Sequence, residues 1–576
     1  MPNSDAPIDV QKWFIDQPPP PDHTYELALV LGGTVSAGCY TAGALDFLIE
    51  ALDIWSAAKE QKDPRAPTHN IAIRVIAGTS GGGVNAAIAT RAFAFKFPPV
   101  TRGTSASLLE TGNPFYDTWV NSLGLAGLLD TSDLQAGKVQ SILNGAPLES
   151  AARRLISFTG AAARRSYIGV PSRQEPLRLI LTFTNLGGVP YRTLFQEALG
   201  ETFVDHADYG RFAVIYPDAP MPALRPDEFA LGFDTGNVSG RRLANEIDWD
   251  TFAHFALATA AFPIGFPPRP LARPTEQYRY RVVAPPPDDT GHSEIVAIEP
   301  DWELLFGAGK PRPVDHQFLA VDGGVTDAEP IGLARTALCG VGNRNPRDPV
   351  TANRGVLLVD PFAGETGMAA PAPKDLLAIA SGVMNSLVQQ ARYHTSDLVL
   401  AVDPSVFSRF MISAQRDGLV GTKAIATGGL GAFIGFACRA FMRHDYLLGR
   451  ANCQRLLQKF FVLSPDNPVM QGCWSEEALQ LNSVRLNGKQ YLRVIPLLDD
   501  VAVPESLEPW PKGALDPSIY KSAIEQRWSA ILSGEVRGLW WGKFLGWIGG
   551  LISEGEVAGF VLGKLEDALK EWDLAR

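Results

Sequence analysis

Ile71-Ala-Ile-Arg-Val-Ile-Ala-Gly78-Thr-Ser80-Gly-Gly82 is the stretch whose reading decides the fold. Its first seven residues form a near-continuous apolar run, the pattern of a strand buried on both faces of a parallel sheet. Glycines end the run, and a helical pattern follows. The same order occurs upstream, where Tyr25-Glu-Leu-Ala-Leu-Val-Leu31 leads into glycines and then an apolar helical stretch from about Tyr40 to Ala57. Leu177 to Thr184, Phe318 to Val321 and Gly355 to Val359 supply further strands. Strands alternating with helices predict an α/β core around a mostly parallel central sheet.

Composition agrees with at least one large packed core. The chain has 576 residues, 46% hydrophobic and 20% charged, with a net charge of −11. That is too apolar for a disordered tail. A nucleic-acid binder would carry a basic excess, so no nucleic-acid partner is expected. Five scattered cysteines without a CxxC pair argue against a disulfide framework or a structural zinc site and fit a reducing compartment. Residues 1–24, with the proline run Pro18 to Pro21, read as an extended lead-in. The α/β pattern occupies 25–365, with long connections near 97–135 and 267–316, and 366–576 reads as mainly helical.

Three pieces carry chemistry. Gly78-Thr-Ser-Gly-Gly82 fits the G-x-S-x-G elbow, between strand and helix as that motif requires. Gly78 and Gly82 let the chain turn tightly enough to present Ser80 at a helix N-terminus, where partial positive charge favours a developing anion. Gly32-Gly33-Thr34, after the first strand, can bring backbone N–H groups close to an oxygen as an oxyanion hole or a phosphate cradle. Asp322-Gly323-Gly324 places a carboxylate at the end of another strand. A serine hydroxyl needs such a base to take its proton.

In this order the three pieces resemble the patatin-like phospholipase family, which carries a glycine-rich oxyanion loop, a G-x-S-x-G serine and a D-G-[GA] aspartate. Ala258-Thr-Ala-Ala-Phe-Pro-Ile-Gly-Phe-Pro267 and Asp322-Gly-Gly-Val-Thr-Asp-Ala-Glu-Pro-Ile331 are also similar to family segments. The resemblance covers roughly Tyr25 to Phe362 and suggests a bacterial-type member with inserted loops and a C-terminal extension. It implies a three-layer core and a phospholipase A-like lipid acyl hydrolase. In that reading Ser80 is the nucleophile, Asp322 the base, and Gly32, Gly33 and Thr34 the oxyanion hole. It implies no cofactor and no metal. The loop departs from the family pattern: Thr34 replaces the usual third glycine, and Ser36 and Ala37 stand where an Arg or Lys is common. A backbone donor survives a Gly→Thr change only at negative φ.

Two other readings stay open at this point. One is a non-catalytic lipid-binding scaffold on the same fold. The other is a Ser-His-Asp esterase, since His394 and His444 follow Asp322 in triad order, while His254 and His316 lie near motif segments. The N-terminus has no signal-peptide pattern, so a cytoplasmic protein is expected. The apolar runs Ala424 to Cys438 and Leu539 to Ile552 are too short to span a bilayer. The first reads as a buried helix or a membrane hairpin. Trp540, Trp541 and Trp547 are candidates for peripheral membrane contact, with docking on the protein itself or on a second subunit of a homo-oligomer as the rival. Asn121 to Leu129 is a candidate lid or channel wall.

Overall fold

A computed structural model describes residues 17–134, 139–163, 165–193, 201–217, 224–233, 245–279, 281–283, 296–340, 345–363, 390–392, 405–535 and 554–576. Trp540, Trp541, Trp547 and His394 lie outside these described residues.

The main sheet is built from β1 (Thr24–Leu31), β2 (Asn70–Gly78), β3 (Leu177–Thr193), β4 (Glu201–Ile215), β5 (Glu228–Gly232), β6 (Glu246–Ile247), β7 (Arg269–Pro274), β8 (Asp315–Asp322), β9 (Arg354–Val359) and β10 (Arg409–Ile412). Their order is β10-β9-β1-β2-β3-β4-β5-β6. Neighbours along this path run parallel except for β3 and β4. β8 joins antiparallel to both β3 and β7.

Alternation along the strands makes three layers. Leu27, Leu29 and Leu31 of β1 face a large core with helices α1 (Gly38–Glu60), α2 (Gly81–Ala92) and α4 (Trp249–Thr259); α3 (Ala146–Ile156) closes its edge. Ala28 and Val30 face the other side, where Val75, Ala77, Val356 and Leu358 pack on α5 (Ile331–Cys339). Both faces are covered, which explains why the strands read as unbroken apolar runs rather than alternating ones.

The helix after Ser80 begins with three glycines, a poor start by intrinsic propensity. Packing requires them. A Cβ at Gly82 would stand 2.1 Å from the Leu31 carbonyl oxygen, and one at Gly83 would stand 2.5 Å from the Thr259 side chain. Close approach to the sheet therefore outweighs roughly 1 kcal/mol of helix propensity per glycine.

The C-terminal region is largely helical and bound tightly to the core. Its long helix α6 (Arg439–Lys459) crosses α1 at backbone contact: a Cβ on Gly43 would fall 1.8 Å from the Tyr446 carbonyl oxygen. Buried Arg450 bridges the crossing, with Asp46 at 2.7 Å and Glu50 and Glu505 each at 2.6 Å. One helical span among the described residues, Val35–Glu60, is long and apolar enough to cross a membrane, but it is buried inside the protein. The apolar run Ala424 to Cys438 is neither one continuous helix nor a hairpin, and its helical turns Gly429–Ala432 and Ile434–Ala437 are four residues each. It is a coil of short turns, with Leu430, Gly431 and Ala432 all at positive φ. Asp445 fixes it by accepting the Ala426 and Thr427 amides at 2.8 Å each.

Candidate active site

β2 and β8 share one edge of β3 and run toward each other. Gly78 ends β2 opposite Leu181, and Asp322 ends β8 opposite Phe183. The two strand ends therefore deliver Ser80 and Asp322 to one point on the sheet edge.

Ser80 is the N-cap of α2 at φ 55° and ψ −129°, a conformation that glycine favours. A side chain held there stores strain on the order of 1–3 kcal/mol, so the surrounding structure must over-determine it. The constraint is visible: the Ser80 amide donates to Thr259 Oγ1 at 2.9 Å. Two residues further on, the Ala261 carbonyl accepts the Asp322 amide at 2.9 Å. The last residue of α4 and the segment after it thus hold both backbones.

Asp322 is buried, 2% exposed. Its Oδ1 accepts the Gly324 amide at 2.7 Å. Its Oδ2 meets no partner of hydrogen-bonding geometry among the described residues. Burial pushes the carboxyl up to about 6, while the nearby Ser80 hydroxyl and the Gly324 amide pull in the opposite direction. Gly323 has no room for a side chain, since a Cβ would meet Thr182 Oγ1 at 2.3 Å. Threonines brace the pair from below. Thr79 Oγ1 lies 2.5 Å from Thr182 Oγ1 and donates to the Asp327 carbonyl at 2.9 Å; Thr184 donates to the Asp322 carbonyl at 2.9 Å.

The glycine loop lies beside the serine. A Cβ on Gly33 would sit 3.5 Å from Ser80 Cβ. The Gly32 and Gly33 amides, however, already donate to the Val359 and Ala328 carbonyls, each at 3.2 Å. The Thr34 amide has no partner among the described residues, and its φ of −137° is one that an L side chain adopts freely. Ser36, at the position where the family resemblance leads one to expect Arg or Lys, donates to the Ala432 carbonyl and so ties the loop to the 424–438 coil.

An apolar chamber of about 70 Å³ opens from Ser80. Val84, Trp119, Leu155, Phe266 and Phe436 are among its walls. Leu123, from the candidate lid stretch, contributes to one wall. Of the candidate histidines, His444 and His316 have other partners, and His254 is exposed. His444 pairs with Asp445 at 2.7 Å and stands edge-on to Trp510, His316 sits among Tyr278, Phe306 and Phe318, and His254 lies on α4.

Sequence reasoning did not single out Thr259, Ala261, Thr182 or Thr184 as positioning residues. Thr259 and Ala261 lie inside a quoted segment whose small residues were its only signal. Thr182 and Thr184 carry no pattern that separates them from ordinary strand threonines.

A strained serine elbow and a buried aspartate, meeting at one edge of a three-layer sheet, define a class of α/β proteins with a serine at a strand-to-helix elbow. Within that class, the chain belongs to the patatin-like phospholipase family, a family of lipid acyl hydrolases, whose model matches residues 29–335. An uncharacterised protein of Sinorhizobium fredii, y4iI, is 31% identical over 527 residues, covering 85% of this chain and 72% of that protein. The crystal structure of VipD from Legionella pneumophila is 10% identical, covers 97% of this chain and 92% of that one, and has a TM-score of 0.17.

Proposed function

We propose that this protein hydrolyses acyl esters of phospholipids or other glycerolipids through a Ser80–Asp322 dyad. The observation that carries the reading is a buried carboxylate with an uncommitted oxygen, next to a strained serine that lines an apolar chamber.

In this mechanism Asp322 Oδ2 takes the hydroxyl proton of Ser80 as Oγ attacks the ester carbonyl. The Thr34 amide, together with the N-terminal end of α2, stabilises the oxyanion. Collapse expels the alcohol, which leaves with the proton from Asp322, and the acyl group remains on Ser80 in the chamber. Water, deprotonated by Asp322, then releases the fatty acid and regenerates the serine. A carboxyl raised to about 6 is ionised at neutral pH yet more basic than an ordinary aspartate, which suits a base without a histidine partner.

The test is fluorophosphonate labelling read by mass spectrometry, alongside hydrolysis of p-nitrophenyl butyrate. An adduct on Ser80, with turnover lost by about 10³-fold or more in Ser80→Ala and Asp322→Asn, is expected. Turnover retained in either folded variant refutes the dyad. Membrane association without turnover in the wild type would favour the scaffold reading instead.

A further inference from the structure

Two aliphatic side chains stand in left-handed backbone and in solvent beside the chamber. Ile264 is at φ +68° and 65% exposed, and Leu430 is at φ +52° and 43% exposed. Ile264 caps the turn between Phe262 and Phe266, both of which line the chamber, and this turn is closed by the Phe266 amide donating to the Phe262 carbonyl at 2.9 Å. Leu430 belongs to the same coil as Phe436, another wall residue. The two turns meet through Phe262 and Phe433, whose rings pack edge to face with centroids 5.4 Å apart. Ile142, 45% exposed, joins them: its amide donates to the Ile264 carbonyl at 2.8 Å, and that of Leu143 to the Gly265 carbonyl at 2.9 Å.

Folding gains little from this arrangement. A β-branched residue disfavours positive φ, and a largely exposed sec-butyl group buries little area. Glycine or a polar residue would serve the turn better. Nor is the rim a scattered set of surface apolar residues, because its turns also carry Phe262, Phe266 and Phe436, which line the chamber together with Ser80, itself only 7% exposed. A lipid leaving its aggregate for such a site must carry its acyl chain past this rim. If the rim lies against the aggregate, the chain moves from one apolar phase to another without crossing water.

We propose that Ile142, Ile264 and Leu430 form a docking rim for a lipid surface, seating the chamber mouth on the acyl layer. The inference rests on the acyl-hydrolase reading for its occupant. The rim residues lie outside the dyad, the glycine loop and the chamber walls.

The full-length chain is tested by flotation with vesicles of phosphatidylcholine and phosphatidylglycerol, as wild type, Ile264→Ser/Leu430→Ser and Ile264→Gly. The glycine variant removes the side chain while relaxing the backbone, so it stays informative if the serine pair folds poorly. The wild type is expected to float, and the variants to lose binding by about tenfold while hydrolysing soluble p-nitrophenyl butyrate within about twofold of wild type. Ser80→Ala should float like the wild type. Equal flotation of wild type and folded rim variants, or no flotation of the wild type, overturns the rim. Failure of the wild type to hydrolyse the soluble ester refutes the activity instead, and the flotation result stands separately.

Discussion

Thr259 holds Ser80: its Oγ1 accepts the Ser80 amide at 2.9 Å, fixing the serine in a backbone conformation it would otherwise leave. Thr259→Val keeps the shape but removes the acceptor, leaving a buried amide unpaired. Such a loss costs about 1–3 kcal/mol. The expected outcome is a lower thermal midpoint and a fall of about tenfold in kcat on a soluble ester, since the hydroxyl is no longer aimed. Unchanged kinetics and stability in the valine variant would remove Thr259 from the site.

Activity should rise with pH along an acid limb centred near 6, the value to which burial brings Asp322. The stability consequence has the opposite sense. Between the ordinary aspartate value and about 6 the folded state holds a proton that the unfolded chain has lost, so stability falls as pH rises through that window. Asp322→Asn escapes this cost. Its stability relative to wild type should therefore improve by up to roughly 3 kcal/mol between pH 4 and pH 7. Denaturant midpoints at the two pH values measure it, and a pH-independent difference contradicts the buried, raised carboxyl.

Ser80→Gly should abolish turnover while making the protein more stable. Glycine adopts φ 55° and ψ −129° without the strain that serine carries there. A gain of about 1 kcal/mol corresponds to a rise in thermal midpoint of about 1 °C in a chain of this size. Calorimetry on Ser80→Gly and Ser80→Ala separates relief of strain from loss of the hydroxyl. A midpoint at or below that of the alanine variant argues against a strained elbow.

Ala151 on α3 is buried and faces the chamber. Ala151→Phe should fill part of the space an acyl chain would take. We expect kcat/KM for p-nitrophenyl palmitate to fall by about tenfold relative to wild type while the butyrate ester changes by less than about threefold. A chain-length profile identical to wild type would place the acyl group outside this chamber.

Much of this was legible in the primary structure because it is local. Runs such as Tyr25 to Leu31 announce strands covered on both faces, and the glycines of Gly78-Thr-Ser-Gly-Gly82 announce a tight strand-to-helix turn. Asp322-Gly-Gly likewise declares a carboxylate at a strand end. The Ala424 to Cys438 run misled for an equally physical reason. Its apolar content suits a helix, but Leu430, Gly431 and Ala432 adopt positive φ once Asp445 and Ser36 bind the coil's backbone. Those partners lie elsewhere in the chain, and no local pattern reveals them.

The sequence by itself determined the α/β class, the serine elbow and the aspartate turn, since each depends on neighbours within a few residues. Only the tertiary structure decided that β2 and β8 run head to head on β3, so that Ser80 and Asp322 meet. It alone decided that the Gly32 and Gly33 amides are taken by Val359 and Ala328, leaving Thr34 free among the described residues. It also set α6 against α1 through Gly43, and joined the turns of Ile264 and Leu430 through Phe262 and Phe433. The physical reason is range. Local propensity and patterning act over a turn or a strand, whereas hydrogen-bond allocation and close packing are settled between segments that sequence distance does not relate.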